Sequence, residues 1–416
     1  MSSPSTFNRR SVILSGLFLP LLTTQRTPVP PASPAANQFQ RWLESSRSAA
    51  GPVIFEAATS PVRIDGPVHV PDGMQLVIRS DLSGTPNAQL IIGGASSVLF
   101  ENGATCINVP ITIVDGSVSI SGFRYTGSYH LAAIRIPGPG PYRNVKIDDI
   151  DVRDANYGIL RSGADSQMAG GVISNSSFSN LAGDAVEWNI CPNDSDILVT
   201  NLDISGIDNT GGKPNWGIGV GFAGRAYDRN WSPELYVKQF TIRNIKGRSL
   251  RQLIHVEAGR NFTIENITGN DISDRYSKNS GLETASVACY GCSDFTVDGV
   301  IADSGIILFA GAIRGQFINP SRNVTVQNIQ LSRGNLSAML GGSNSYAHFS
   351  NVKLSAGSLE LKGAAAQTSL TDIAVTSANG APPFIDTPDF LSGNMRQFRP
   401  ARSDIRRKNV RFDYGR

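Results

Sequence analysis

The chain has 416 residues, of which 17% are charged and 42 are glycine, with a net charge of +3. That length fits one long solenoid or two ordinary domains. The small net charge argues against a nucleic-acid partner. Low charge with many Gly, Asn, Ser and short β-branched runs excludes a mainly helical chain.

The N-terminus reads Thr6-Phe7-Asn8-Arg9-Arg10-Ser11-Val12-Ile13-Leu14, followed by an apolar run to Leu22. Paired arginines before a short apolar stretch predict a twin-arginine export signal and a periplasmic location. The run is too short to span a bilayer as an ordinary helix. No clear A-x-A site follows, so both a cleaved signal and an uncleaved anchor stay open. Thr27 to Ala36 is rich in Pro and Ala and reads as a linker. The expected organisation is thus a signal and linker over 1–36, a solenoid over 37–395 and a basic tail over 396–416. Within the second part, Gln38 to Arg47 carries Phe39, Trp42 and Leu43 at amphipathic-helix spacing and is expected to cap the solenoid. His69-Val-Pro-Asp-Gly opens the first clear coils.

An internal repeat decides the fold. NVKIDDIDV from Asn144, SDILVTNLDI from Ser195, KQFTIRNIKG from Lys238 and RNFTIENITG from Arg260 share one grammar, continued by SDFTVDGVIA from Ser293 and RNVTVQNIQL from Arg322. Each is a short alternating strand, a turn residue, then another apolar residue, recurring roughly every 22 to 33 residues with one longer gap. The turn position holds Asp149, Asn201, Asn244, Asn266, Gly299, Asn328 and Asn351. Asn tolerates the left-handed backbone, and stacked Asn side chains form an amide ladder. This pattern predicts an all-β chain: a right-handed parallel β-helix with a short N-terminal capping helix. The sequons at Asn261 and Asn323 follow from the same grammar and need no glycan.

The longer gap contains NWGIGVGFAG, residues 215 to 224. Gly217, Gly219 and Gly221 share one parity and weaken any strand they occupy. The second strands of successive coils align as Asn156–Arg161, Asp184–Asn189, Trp216–Gly221, Arg251–Glu257 and Ala285–Tyr290. With Ile159, Val186, Ile218, Ile254 and Val287 pointing inward, one outward column is Leu160, Glu187, Gly219, His255, Ala288. The next is Asn189, Gly221, Glu257, Tyr290. The glycines then form a bare floor between Glu187 with Asn189 and His255 with Glu257, walls roughly 10 Å apart. A sugar ring fits such a floor.

Glu187, Glu257 and His255 are the expected catalytic residues. Glu187 serves as acid, base or sugar ligand unless it is simply solvated, and Glu257 as its partner unless it pairs with Arg251 or Arg225; His255 is a proton carrier, a buried neighbour or a ligand contact. Asn189, Lys213, Asn215, Gly217, Gly219, Gly221, Arg251, Tyr290 and Asp184 are the expected substrate contacts. Asp184, Asp194 and Asp196 sit at coil edges, where turn stabilisation competes with catalysis. Lys213, Arg161 and Arg251 hold a uronate carboxylate or pair with nearby acids. Trp188, Trp216 and Trp231 are candidate stacking surfaces for a sugar, but Trp188 and Trp216 fall on the inward parity and read better as core. Cys289 and Cys292 form a C-x-x-C at a strand end, the wrong setting for a redox motif. No acidic Ca²⁺ cluster flanks the floor, and no metal or cofactor is expected.

The stretches ANYGILRSG (155–163), GDAVEWNICPNDSDIL (183–198), NWGIGVGFAGRAYD (215–228), RQLIHVEAGRNFTIENI (251–267) and VACYGCSDFTVDGV (287–300) resemble the WcaM-type colanic acid biosynthesis proteins. The likeness covers residues 140 to 335 well and the ends poorly. It implies an exported β-helical protein that works with exopolysaccharide assembly machinery; the family name records a pathway rather than a reaction. At fold level the chain also resembles tailspike depolymerases and pectate-lyase-like β-helices. Two classes of function remain. One is an enzyme cleaving an acidic exopolysaccharide, with a glycoside hydrolase preferred and a uronate lyase using His255 or Tyr290 as base the alternative. The other is a non-catalytic factor that binds or guides the polymer, its arginine tail gripping an anionic chain. A monomer or a tailspike-like homotrimer is compatible with either.

Overall fold

The computed structural model describes residues 36–415 except 50, 129–130, 166, 209–216, 226–234, 277–282, 310–311, 314–315, 318–319, 342–344, 364, 366, 379 and 388–404. The export segment, Lys213, Asn215, Trp216 and Trp231 therefore lie outside the described residues. Two parallel sheets wind around a common core, one of nineteen strands and one of thirteen. Each coil gives strand to both in turn, in the right-handed sense that parallel crossovers take.

The repeat explains the larger sheet. Long strands such as Met168–Leu181, Ser195–Ile207, Val237–Leu250 and Gly259–Ile272 stack in register. They bend where single residues take the left-handed backbone. Asn175, Asn201, Asn244, Asn266, Asn328 and Asn351 all have φ between 51° and 57°, and Gly299 has φ 71°. The expected amide ladder is present: Asn201 donates to Asn175 at 3.0 Å, Asn244 to Asn201 at 2.9 Å and Asn266 to Asn244 at 3.1 Å. Further left-handed corners lie five residues to either side, at Gln239 and Ser249 around Asn244 and at Asn261 and Asp271 around Asn266. Asn261 and Asn323, which begin the Asn-Phe-Thr and Asn-Val-Thr sequons, are such corner residues.

Inward side chains stack like on like. Trp188, Phe222, Phe240, Phe262 and Phe295 form a continuous ring stack with centroid spacings of 4.4–4.8 Å. At roughly 1.5–3 kcal/mol for each large apolar side chain buried, this interior supplies the main driving force for folding. The helix Ala36–Ser45 closes one end, with Phe39, Trp42 and Leu43 buried and Phe39 and Trp42 against Phe55.

The basic tail differs from expectation. Arg406–Tyr414 is a strand paired in parallel with Gln367–Ser377. Val410 and Phe412 pack against the core while Arg406, Arg407, Lys408 and Arg411 face outward. Asn409 has φ 52° and donates to Asp372 at 2.8 Å, so this segment is another coil of the solenoid.

Candidate functional site

The smaller sheet carries the site on its outer face. Ile159–Ser162, Val186–Asn189, Ile218–Ala223, Gln252–Glu257 and Ala285–Tyr290 lie side by side. One outward column reads Leu160, Glu187, Gly221, His255, Ala288; a second reads Ser162, Asn189, Ala223, Glu257, Tyr290. Glu187, His255 and Glu257 thus share one face, as expected.

The glycine strand is shifted by two residues from the expected register. Gly221, not Gly219, lies between Glu187 and His255, and Ala223, not Gly221, lies between Asn189 and Glu257. The cause is a break in alternation at the start of each strand. Ala185 and Val186 both enter the core, as do Leu253 and Ile254. Gly219 occupies the matching inward position: a Cβ there would lie 2.6 Å from the Leu253 carbonyl oxygen and 3.4 Å from Ile204 Cδ1. Ile218 lies on the outer side with Gly221, where its Cγ2 would be 3.5 Å from a Cβ on Gly221, contrary to the inward position expected, because Gly219 and Val220 both turn inward after it. Gly217 has φ +72°, and its carbonyl accepts the N–H groups of Arg251 and Gln252 at 3.2 Å. Only Gly221 of the three is a floor residue. Gly217 makes a corner, and Gly219 makes room for the next coil.

Glu187 and Asp184 form a buried pair of acids. Asp184 shows no exposed surface and Glu187 shows 8%. Asp184 Oδ1 accepts the Ile218 N–H at 2.7 Å. Asp184 therefore sits behind Glu187 as a strand cap rather than on the open outer face. Asp184 Oδ2 and Glu187 Oε2 are buried without a conventional donor among the described residues. Burial first, then the charge of Asp184, pushes the Glu187 carboxyl well above its ordinary range. Burial also pushes Asp184 up to about 6, opposed by the Ile218 N–H and by its hydrogen bond with Glu187. The contact between the two acids favours the protonated form of Glu187 and the ionised form of Asp184.

The opposite wall carries the reverse charge state. Burial works to raise Glu257, but the hydrogen bond and charge of His255 prevail and hold it below the usual carboxylate range. His255 Nε2 lies 3.0 Å from Glu257 Oε1. This pair replaces the expected alternative of a salt bridge from Glu257 to Arg251 or Arg225. His255 Nδ1 lies 2.8 Å from Gln252 Oε1, and the ring is tilted against Tyr290 at 5.2 Å. Tyr290 donates its hydroxyl to Glu283 Oε2 at 2.9 Å, and burial and Glu283 together push the phenol up.

Other expected contacts fall elsewhere. Arg251 is 5% exposed beside the wall, and burial lowers its pKa. Arg161 points into the solenoid, pairs with fully buried Asp194 at 2.9 Å and covers the Tyr142 ring at 4.6 Å. It is an internal strut. Trp188 is core, as its parity indicated. Cys289 and Cys292 are both buried in the core cluster. Two residues of the wall were not expected, Gln252 and Glu283. Gln252 could have been found from its place in the column of Asp184 and Ile218. Among the described residues, no group of three or more His, Cys, Asp or Glu side chains is arranged to hold a metal.

Comparison with known proteins agrees with the sequence resemblance. The model for "Colanic acid biosynthesis WcaM" matches residues 21–396. The colanic acid biosynthesis protein WcaM of Shigella flexneri is 34% identical over 374 residues, covering 86% of this chain and 81% of that protein. Its counterpart from Salmonella typhimurium is 33% identical over 352 residues, covering 82% and 75%. Among solved structures, the A-module of mannuronan C-5 epimerase AlgE6 of Azotobacter vinelandii aligns with 11% identity and a TM-score of 0.41, over 93% of this chain and 97% of that one. The family match and the two relatives carry the assignment: this chain belongs to the colanic acid biosynthesis WcaM family.

Proposed function

We propose that the chain hydrolyses a glycosidic bond of an acidic exopolysaccharide in the periplasm, with inversion at the anomeric carbon. One arrangement carries the reading: on one outer face Glu187, whose carboxyl is held well above its ordinary range by burial and Asp184, lies diagonally across the Gly221 strand from Glu257, which His255 holds below that range. Two carboxyl groups with opposite protonation are what acid and base roles require. They sit two coils apart and two residues along the strand, roughly 12 Å at the backbone, so side chains that lean together leave room for water between them, as in an inverting pair. Glu187 gives its proton to the leaving glycosidic oxygen. Water attacks the anomeric carbon as that bond breaks and passes its proton to Glu257. Solvent exchange then restores the proton on Glu187 and removes it from Glu257.

The family name supports an acidic polymer as substrate. The lyase alternative is weaker on the geometry. It needs Tyr290 or His255 as base, but the Tyr290 hydroxyl is committed as a donor to Glu283 and both His255 nitrogens are engaged. The test is to incubate the purified protein with the exopolysaccharide of its own host, separate products by size and assay reducing ends. Shorter chains with new reducing ends of inverted configuration are expected. Products absorbing in the ultraviolet would replace hydrolysis by elimination. An unaltered polymer that nonetheless binds would make the chain a carrier or scaffold.

A further inference from the structure

We infer that Gln252 is a positioning residue that fixes His255 with an N–H on each ring nitrogen, and so keeps Glu257 as a bare carboxylate facing the floor; the inference rests on the proposed base role of Glu257. Gln252 is fully buried at the start of its strand. Its two amide ends are told apart by what they face. Nε2 lies 2.5 Å from the Glu283 carbonyl oxygen and 3.4 Å from the Tyr290 hydroxyl. A carbonyl only accepts, so the amide nitrogen must point there. The amide oxygen is then left toward His255 Nδ1 at 2.8 Å. An amide oxygen carries no hydrogen, so Nδ1 must donate. Nε2 faces Glu257 Oε1 at 3.0 Å, and toward an ionised carboxylate it must donate as well. The form of the ring that satisfies both sides is the imidazolium.

The surroundings fit a cation held in place. On its own strand the ring faces Gln252 and Glu257, with Arg251 just before them. From the strand on one side come Ala288 and Tyr290, with Glu283 ahead of that strand. On the other side Gly221 contributes no side chain, and beyond it lie Glu187 and Asp184. Carboxylates thus outnumber Arg251 around the ring, while an amide, not a titrating group, sets its far nitrogen. Fixing both nitrogens holds the imidazolium against Glu257 and leaves Glu257 Oε2 for water.

The test uses the full chain labelled with ¹⁵N in histidine, with His255 assigned by loss of its signals in His255→Asn. At neutral pH both ring nitrogens of His255 in the native protein should show protonated shifts. Gln252→Leu should leave only Nε2 protonated. Gln252→Glu, which keeps one oxygen facing Nδ1 and, protonated on the other, still donates to the Glu283 carbonyl, should restore both protons and guards against a simple folding defect in the leucine variant. On the polymer, Gln252→Leu should lower kcat about tenfold or more with little change in KM, and move the acidic limb of the pH profile upward. A native ring with one protonated nitrogen, or a leucine variant that keeps both, overturns the inference. Native protein with both nitrogens protonated but no cleavage of polymer sinks the hydrolase reading while leaving the role of Gln252 toward His255 standing.

Discussion

Glu187 and Glu360 occupy the same outward column of the same sheet, and their surroundings differ in every respect that matters. The column runs Leu160, Glu187, Gly221, His255, Ala288, Ile307, Ser337, Glu360. Glu360 accepts from Asn335 at 2.7 Å, Ser337 at 2.8 Å and Ser358 at 3.2 Å, and Lys362 lies 3.7 Å away. Its charge is fully answered, and it serves as a knot between coils. Glu187 has Leu160 and Gly221 as column neighbours, neither with a side-chain donor, and another acid behind it. Position in a solenoid sets where a side chain points. The adjacent coils decide whether it is charged, and an acid given no donors keeps its own proton.

Substituting the two glutamates tests this contrast most directly. Glu187→Gln should remove about 10²–10⁴ of the rate of reducing-end release while circular dichroism stays native, whereas Glu360→Gln should stay within a few-fold of native activity. Equal losses in both would erase the distinction. Filling the floor comes next. A Cβ on Gly221 would make only ordinary contacts, 3.5 Å from Ile218 and 3.7 Å from Glu187 Cγ, so Gly221→Val should fold but lose on the order of tenfold or more in polymer affinity, measured by calorimetry. The pH profile should be broad and bell-shaped. Activity falls on the acid side as Glu257 is protonated, below the ordinary range, and on the alkaline side only when Glu187 ionises, well above it.

Stability should move the other way and least. Asp184 is raised in the folded chain from 3.8 to about 6. A raised carboxyl stabilises fully below its unfolded value, and that contribution is lost as pH rises through the folded one. Denaturant titrations between pH 4 and 7 should therefore show a decline on the order of 2–3 kcal/mol from Asp184, to which the raised Glu187 carboxyl adds in the same direction. Asp184→Asn keeps an oxygen for the Ile218 N–H and should flatten that decline. An unchanged slope would show that the pair carries no such strain.

Much of the fold was written in the repeats. Asn201, Asn244 and Asn266 announce both the corner and its period, and like residues stack because each coil sees only its neighbours. The flanking corners at Asn261 and Asp271 escaped notice because β-strand reading assumes an unbroken alternation across them. The same assumption misplaced the glycine strand by two residues: Leu253 and Ile254 both turn inward, which no strict period of two permits. Arg406–Tyr414 hid as a tail because its outward basic residues mask the inward Val410 and Phe412. Gln252 gave no signal of its own, since a glutamine in a strand ordinarily meets solvent. Glu187, His255 and Glu257 were legible because each column position repeats from coil to coil.

The in-register stacking of coils also makes the width of the cleft quantised. The gap between Glu187 and His255 can change only by whole layers, each near 4.8 Å. Excising the layer that carries Gly221 would set acid and imidazole side by side and, on the proposed hydrolysis, leave no room for the attacking water. Duplicating it would part them beyond the reach of one glycosidic linkage. Drift at single positions cannot tune that gap, so relatives with other substrates are expected to differ by the insertion or loss of an entire turn.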